Sequence, residues 1–231
     1  MDKDYGDDSF ATGDNSIKTK RYWIKLLPAV IWYIVFLVFS DLFDKYTIVY
    51  WNLIFYLGLA VYFFVWREWR FSEWRMALKK GKTFWIPVLL TAFGMAVMFG
   101  VGIGITMLFP NIDDGMGVYG ISNLGNLLAF AAVTIILPPL AEEAFFRKAI
   151  TAFDSKAVLS ISVILSIFLY AGEHSLLPLG FLQACLWAVP LSVAYIKTRN
   201  IYVCMTAHFL CNFVMNGSSV VVSAVRLFHL A

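Results

Sequence analysis

Apolar positions in this chain gather into long runs separated by short polar breaks. They show neither the alternation of a half-buried strand nor the single stripe of a soluble amphipathic helix. The runs cover residues 22–40, 46–66, 84–109, 121–141, 158–173, 177–196 and 200–216, and a shorter stretch, 218–231, carries Arg226. A helix needs about 20 apolar residues to cross the hydrocarbon of a bilayer. A lipid-embedded segment must also satisfy its own backbone hydrogen bonds. The pattern therefore predicts an all-α fold, a polytopic transmembrane bundle of seven to eight helices, with 218–231 as a partial eighth. Residues 1–20 are polar, with Asp2, Asp4, Asp7, Asp8 and Asp14 among Gly, Ser and Thr, and read as a disordered tail. The chain thus divides into a tail, 1–20, and a transmembrane domain, 21–231. The first apolar run is too long for a signal-peptide core and no small-residue cleavage site follows it, so it reads as a retained transmembrane helix.

Composition agrees. Hydrophobic residues make up 61% of the 231, charged residues only 14%, and the mean hydropathy is +0.76; soluble domains lie nearer 45–50% apolar by a similar measure. The chain reads as an integral membrane protein. No basic stripe with interleaved aromatics is present, which excludes a nucleic-acid partner. Cys185, Cys204 and Cys211 lie in apolar runs without metal-ligand spacing and read as small buried hydrophobes.

Lysine and arginine sort the loops into two sides. Lys18, Lys20, Arg21 and Lys25 precede the first run, six basic residues fall between Arg67 and Lys82, and Lys197 and Arg199 follow the sixth run. The opposite loops carry Asp41, Asp44 and Lys45, then Asp113 and Asp114. The asymmetry places the N-terminus in the cytoplasm. Residues 67–82 mix Trp69, Phe71, Trp74 and Met76 with the charges, as an interfacial helix or a plain basic loop would.

Polar chemistry interrupts the apolar runs in three places. Glu142 and Glu143 follow Pro138-Pro139, and Arg147 comes four residues after the second glutamate. A carboxylate at membrane depth is expensive unless paired or hydrated, and it marks function by default. On an α-helix Glu143 and Arg147 share a face, while Glu142 is rotated about 100° away. The arginine can then pair with Glu143 and leave Glu142 free. The two prolines should kink the helix just before the pair. The second place is His174, which ends the run containing Tyr170. The third is His208 with Asn212, again i and i+4. These groups predict one shared site below the cytoplasmic surface. His229 fits no motif and reads as structural.

The three motifs, Glu142-Glu143 with Arg147, Tyr170 with His174, and His208 with Asn212, stand in an order and spacing that resembles the CPBP family of intramembrane proteases. That family includes type II CAAX prenyl endopeptidases and the bacterial Abi or bacteriocin-immunity proteins. The resemblance covers roughly 121–216. Tyr170 stands where Phe is usual, and Lys148 where Gly is frequent. The resemblance implies a buried catalytic cavity open toward the cytoplasm. It implies Glu142 as general base, His174 helping to hold and activate a water, and His208 and Asn212 stabilising the oxyanion. Glu143 and Arg147 become a structural ion pair. No cofactor is favoured. A catalytic zinc, if present, would use Glu142, His174 and His208, although the His-Glu-x-x-His helix of zincins is absent from the sequence.

The expected partners are the lipid bilayer and a peptide or small membrane-protein substrate, and the oligomeric state is left open. Short loops suggest a bacterial plasma membrane. The competing reading is a non-enzymatic immunity or scaffold protein that binds a bacteriocin receptor or a sensor kinase. A proton-coupled carrier is a third, since intramembrane Glu, His and Arg also serve ion pathways.

Overall fold

The computed structural model describes residues 9–229, with side chains from 24 to 228. Eight helices follow one another: α1 (Ser9–Ser40), α2 (Ile48–Val65), α3 (Phe71–Leu78), α4 (Lys82–Leu108), α5 (Leu124–Ala149), α6 (Lys156–His174), α7 (Pro178–Thr198) and α8 (Ile201–His229). No strand occurs among the described residues. Six helices, α2 and α4 to α8, are long and apolar enough to cross a bilayer; the apolar part of α1, Ile24–Ser40, is shorter. The polytopic all-α bundle is therefore present.

Three boundaries differ from expectation. α1 begins at Ser9, inside the polar stretch set apart as a tail, because extending an established helix fixes one residue per hydrogen bond and needs no new nucleus. Residues 1–8 lie outside the described residues. The run 218–231 is not a separate helix but the continuation of α8, since nothing between residues 216 and 218 forces a break: Gly217 weakens a helix without terminating it. His229 closes α8, and its side chain lies outside the described ones. Finally, Pro138-Pro139 does not interrupt α5. The chain stays helical from Leu124 to Ala149, and the distortion takes the form of two π-helical segments, Ala132–Ile136 and Glu143–Ala149.

The first π segment has a local cause. Prolines lack the N–H that would return to the carbonyls of Thr134 and Ile135. The Leu137 N–H reaches back five residues to the Ala132 carbonyl, and the Thr134 carbonyl accepts instead from the Asn216 side-chain amide of α8 at 3.2 Å. In the second segment the Ile150 N–H closes on the Phe145 carbonyl at 3.1 Å, again five residues back.

An aromatic wall backs this helix. Phe36 of α1 stacks on Phe55 of α2 with ring centroids 3.9 Å apart, and Phe145 of α5 meets Tyr33 at 5.9 Å and Phe63 at 6.1 Å. The polar tips in the wall all find carbonyls. Tyr33 donates to Leu169 at 2.8 Å, and Trp32, Trp51 and Trp69 donate to Phe55, Phe36 and Ala60 at 3.2 Å each. In lipid, where helix association gains little from the hydrophobic effect, such packing and inter-helix hydrogen bonds hold the bundle.

The segment between α2 and α4 does form a short helix, α3. It docks on α8: Trp74 donates to the Thr206 hydroxyl at 2.8 Å and Tyr202 donates to Glu73 at 2.6 Å. Beside it, Glu68 pairs with both Lys25 and Lys148. At the other end of the bundle, the loop 109–123 folds back over the helix ends. Ser175 donates to the Asp114 carbonyl at 2.7 Å, and Asn52 donates to the Tyr119 hydroxyl at 2.5 Å. Gly115 has φ +65°, and a β-carbon there would sit 2.7 Å from the Ser175 hydroxyl, so glycine is required for that fold-back.

Candidate active site

Three helices deliver the polar groups. α5 carries Glu142, Glu143 and Arg147, all buried; α6 ends on Glu173 and His174; α8 carries His208 and Asn212. Arg147 Nε stands 3.5 Å from Glu143 Oε2, an ion pair between two side chains almost wholly sealed from solvent. The guanidinium lies 4.4 Å over the Tyr170 ring and also reaches the Ala188 carbonyl at 3.4 Å. The stacking offsets part of the cost of a buried cation.

His208 joins the two glutamates. Its Nδ1 is 2.8 Å from Glu143 Oε1, and its Nε2 is 4.0 Å from Glu142 Oε2. An ionised carboxylate only accepts, so Nδ1 carries the proton and the ring orientation is set. Glu143 therefore has two cationic or donor partners, Arg147 and His208, whereas Glu142 has none within hydrogen-bond distance. The 4.0 Å between Glu142 and Nε2 exceeds a hydrogen bond and is a gap that a water can bridge.

His174 stands apart from this quartet. Its Nδ1 is held 3.0 Å from the Tyr170 carbonyl of its own helix, its ring packs 4.4 Å from the Tyr170 ring, and Trp187 lies 5.9 Å away. Nε2 is left as the working nitrogen. Tyr170 is common to both groups, with Arg147 over its ring and the His174 ring packed against it. Asn212 is half-buried one helical turn beyond His208. One turn further on, Asn216 is the residue that fills the proline gap in α5.

Metal-ligating atoms within 4.8 Å of one another come from Glu142, Glu143 and His208. That trio differs from the Glu142, His174 and His208 set read from the sequence, because His174 is committed to the end of α6. The trio suits a metal poorly. Both Glu143 oxygens already face Arg147 and the His208 Nδ1–H, so Glu142 and His208 Nε2 remain, and a catalytic zinc takes three protein ligands.

Sequence reading overlooked Glu173. Both of its carboxylate oxygens are buried without a hydrogen-bond partner. Tyr56 of α2 lies close to it without reaching hydrogen-bond geometry, and Glu142 and Tyr119 are within its electrostatic reach. A glutamate in an apolar run is itself the signal that could have found it; its place directly before the motif histidine concealed it.

Six lipid-length helices enclosing three carboxylates, a guanidinium and two imidazoles define an integral membrane protein. Residues 124–214 match the family described as Type II CAAX prenyl endopeptidase Rce1-like. The matched stretch runs from the start of α5 to beyond Asn212 and contains all three motifs. No curated protein and no solved structure matches the chain.

Proposed function

We propose that this protein is an intramembrane endopeptidase that cleaves a membrane-associated peptide or protein with water activated by Glu142, without a metal. The observation that carries the reading is the unequal treatment of the two glutamates. Glu143 is bound by Arg147 and His208, while Glu142 faces His208 Nε2 across 4.0 Å with no partner of its own.

Peptide hydrolysis needs a water that loses a proton and donors aimed at the developing oxyanion. Glu142 takes the proton of a water held between its carboxylate and an imidazole. Glu143 fixes the His208 ring by accepting from Nδ1, so that Nε2, an acceptor in that tautomer, is turned to the water, and the proton that Glu142 takes passes to the leaving amine nitrogen as the peptide C–N bond breaks. The Asn212 carboxamide, one turn along α8, is the donor to the oxyanion. His174 helps to hold the water through Nε2. Arg147 faces Glu143 at 3.5 Å and balances its charge. The substrate is a peptide or small membrane protein, of CAAX type or a bacteriocin or signal peptide, in a bacterial plasma membrane. The N-terminus is cytoplasmic, in line with the lysine and arginine distribution, and the cavity opens to that side.

The test compares membrane peptidomes of cells carrying the wild-type protein or Glu142→Gln, followed by assay of the purified proteins on the peptides that change. Glu142→Gln is expected to lower kcat by about 100- to 10,000-fold, the range of a general base, while the protein remains folded. Retention of both the cellular phenotype and the peptide pattern by Glu142→Gln would overturn the enzymatic reading in favour of an immunity or scaffold role. Stoichiometric zinc, with activity lost on chelation and restored by zinc, would overturn the metal-free mechanism.

A further inference from the structure

Buried polar side-chain atoms without a hydrogen-bond partner are confined to six residues among those described: Asn52, Glu142, Glu143, Arg147, Glu173 and Trp187. Glu143 and Arg147 face each other as an ion pair. What remains is weighted toward acceptors. Asn52 Oδ1, Glu142 Oε2 and both oxygens of Glu173 are acceptors, and the donors left are Trp187 Nε1 and Arg147 Nη1. The carboxyl groups of this interior are three, Glu142, Glu143 and Glu173, beside the guanidinium of Arg147 and the imidazoles of His174 and His208. A buried acceptor left unmade costs about 1–3 kcal/mol, more when it is charged. The acceptors are therefore matched to something rich in donors.

Their positions divide the interior into two halves. One half holds Glu142, His208 and the Glu143–Arg147 pair. The other lies toward the loop 109–123 and is lined by Glu173 of α6, Tyr56 and Asn52 of α2, and Tyr119 of the loop. Asn52 is nine-tenths buried, and its amide nitrogen is fixed on the Tyr119 hydroxyl at 2.5 Å, which leaves Oδ1 unpartnered. Burial pushes the Tyr119 phenol up to about 12, so it keeps its proton and contributes no negative charge. Glu173 itself is only half-buried as a residue, although its oxygens are sealed, so its stem marks the edge of this half and its carboxylate the floor. None of these four residues takes part in the water chemistry assigned to Glu142.

We infer that Glu173 and Asn52, framed by Tyr56 and Tyr119, form a subsite for a basic side chain of the peptide substrate. The subsite binds a lysine or arginine adjoining the scissile bond. An ammonium offers three donors and a guanidinium five, enough for both Glu173 oxygens and Asn52 Oδ1. The inference rests on the protease reading for its substrate class, but the subsite makes no step of the hydrolysis.

The experiment uses the full chain purified in nanodiscs and a set of fluorescent, N-acylated nonapeptides of apolar sequence. Each carries lysine at one position in turn and is matched by a norleucine peptide; acylation removes the amino terminus as a competing cation. For wild type, lysine at one position is expected to raise kcat/KM about tenfold or more over norleucine, the scale of one buried charged hydrogen bond. In Glu173→Gln that ratio falls to within about twofold, while cleavage of the norleucine peptide is retained. Glu173→Asp, which keeps the charge, preserves part of the preference and guards against misreading a folding defect. A ratio unchanged in Glu173→Gln, or no position at which wild type prefers lysine, overturns the inference. If wild type cleaves none of the peptides, the protease reading fails separately. The subsite is then judged by binding of the same lysine and norleucine pairs, and equal affinities overturn it.

Discussion

The two sides of α5 are built on opposite terms. Toward α1 and α2 lies the aromatic wall, where Tyr33, Trp32, Trp51 and Trp69 each bury a polar tip and each tip reaches a carbonyl. Toward α6 and α8 lies the polar chamber, whose carboxylates keep unpartnered oxygens. Both sides mix buried and half-buried residues, so burial does not separate them; completeness of hydrogen bonding does. The wall is a finished structure that holds Phe145 and Phe146 in place. The chamber is polar surface kept ready for a water and a substrate at the expense of stability. A single helix can serve both because Glu142 and Glu143 are separated from Phe145 and Phe146 by Ala144 alone, while the π segment from Glu143 to Ala149 spreads these side chains around the axis.

That contrast can be broken from either side. The largest effect is expected on the chamber side. Arg147→Met leaves Glu143 as an unbalanced buried charge, and loss of one partner of a buried pair costs about 3–5 kcal/mol. Thermal unfolding in detergent should show a large drop, and Glu143→Gln combined with Arg147→Met should recover part of it. If the single variant melts like wild type, the ion pair is not what holds Glu143. On the wall side, Phe63→Ala removes a fully buried ring at a cost of about 3–5 kcal/mol. Its kcat per folded molecule should be nearly unchanged, whereas His208→Gln should lower kcat with a smaller change in melting. Reversal of those two outcomes would mean that the wall shapes the chemistry. Smaller again is Asn216→Leu, which strips the Thr134 carbonyl of its donor and should cost about 1–3 kcal/mol. Activity should fall too, because the carbonyl lies in the distorted turn that precedes Glu142. The smallest effect belongs to Asp44. Its side chain accepts from the Thr47 hydroxyl, its largest influence, and from the Tyr46 and Thr47 amides, which hold its carboxyl below the ordinary value. A depressed carboxyl contributes stability above its unfolded value and loses it as pH falls through the folded one. Asp44→Asn should therefore flatten a slight acid-side decline in melting temperature and leave neutral-pH melting almost unchanged.

Much of the fold was legible because a membrane span announces itself by length and apolarity alone. α2, α4, α6 and α7 follow their apolar runs to within a few residues. The pairing of Glu143 with Arg147 was legible too, because i and i+4 neighbours meet in any helical turn. What lay hidden was tertiary. The sequence shows that Pro138-Pro139 removes two donors; it does not show that Asn216, far along the chain, supplies one in return, or that α5 stays helical through both prolines. Nor does spacing within α8 reveal that His208 reaches the same glutamate as Arg147. Glu173 was concealed by its neighbour: once His174 had explained the polar end of α6, the carboxylate beside it drew no notice. Nor does the sequence show that the His174 ring is oriented by the Tyr170 carbonyl at Nδ1 and by the Tyr170 face.

The π segment at Glu143–Ala149 has a consequence for how this gene can vary. Each π-type ring closes over one more residue than an α-type ring, so this stretch holds a residue in excess of what an ordinary helix would use. Deleting one residue there, such as Ala144, lets the helix relax to the ordinary spacing and remain continuous, where the same deletion elsewhere in a transmembrane helix turns every later side chain away from its neighbours. The length of α5 is thus least constrained at the turn where its chemistry is most constrained. Surveys of single-residue deletions, scored separately for membrane insertion and for peptide cleavage, should find the two scores farthest apart at these seven positions.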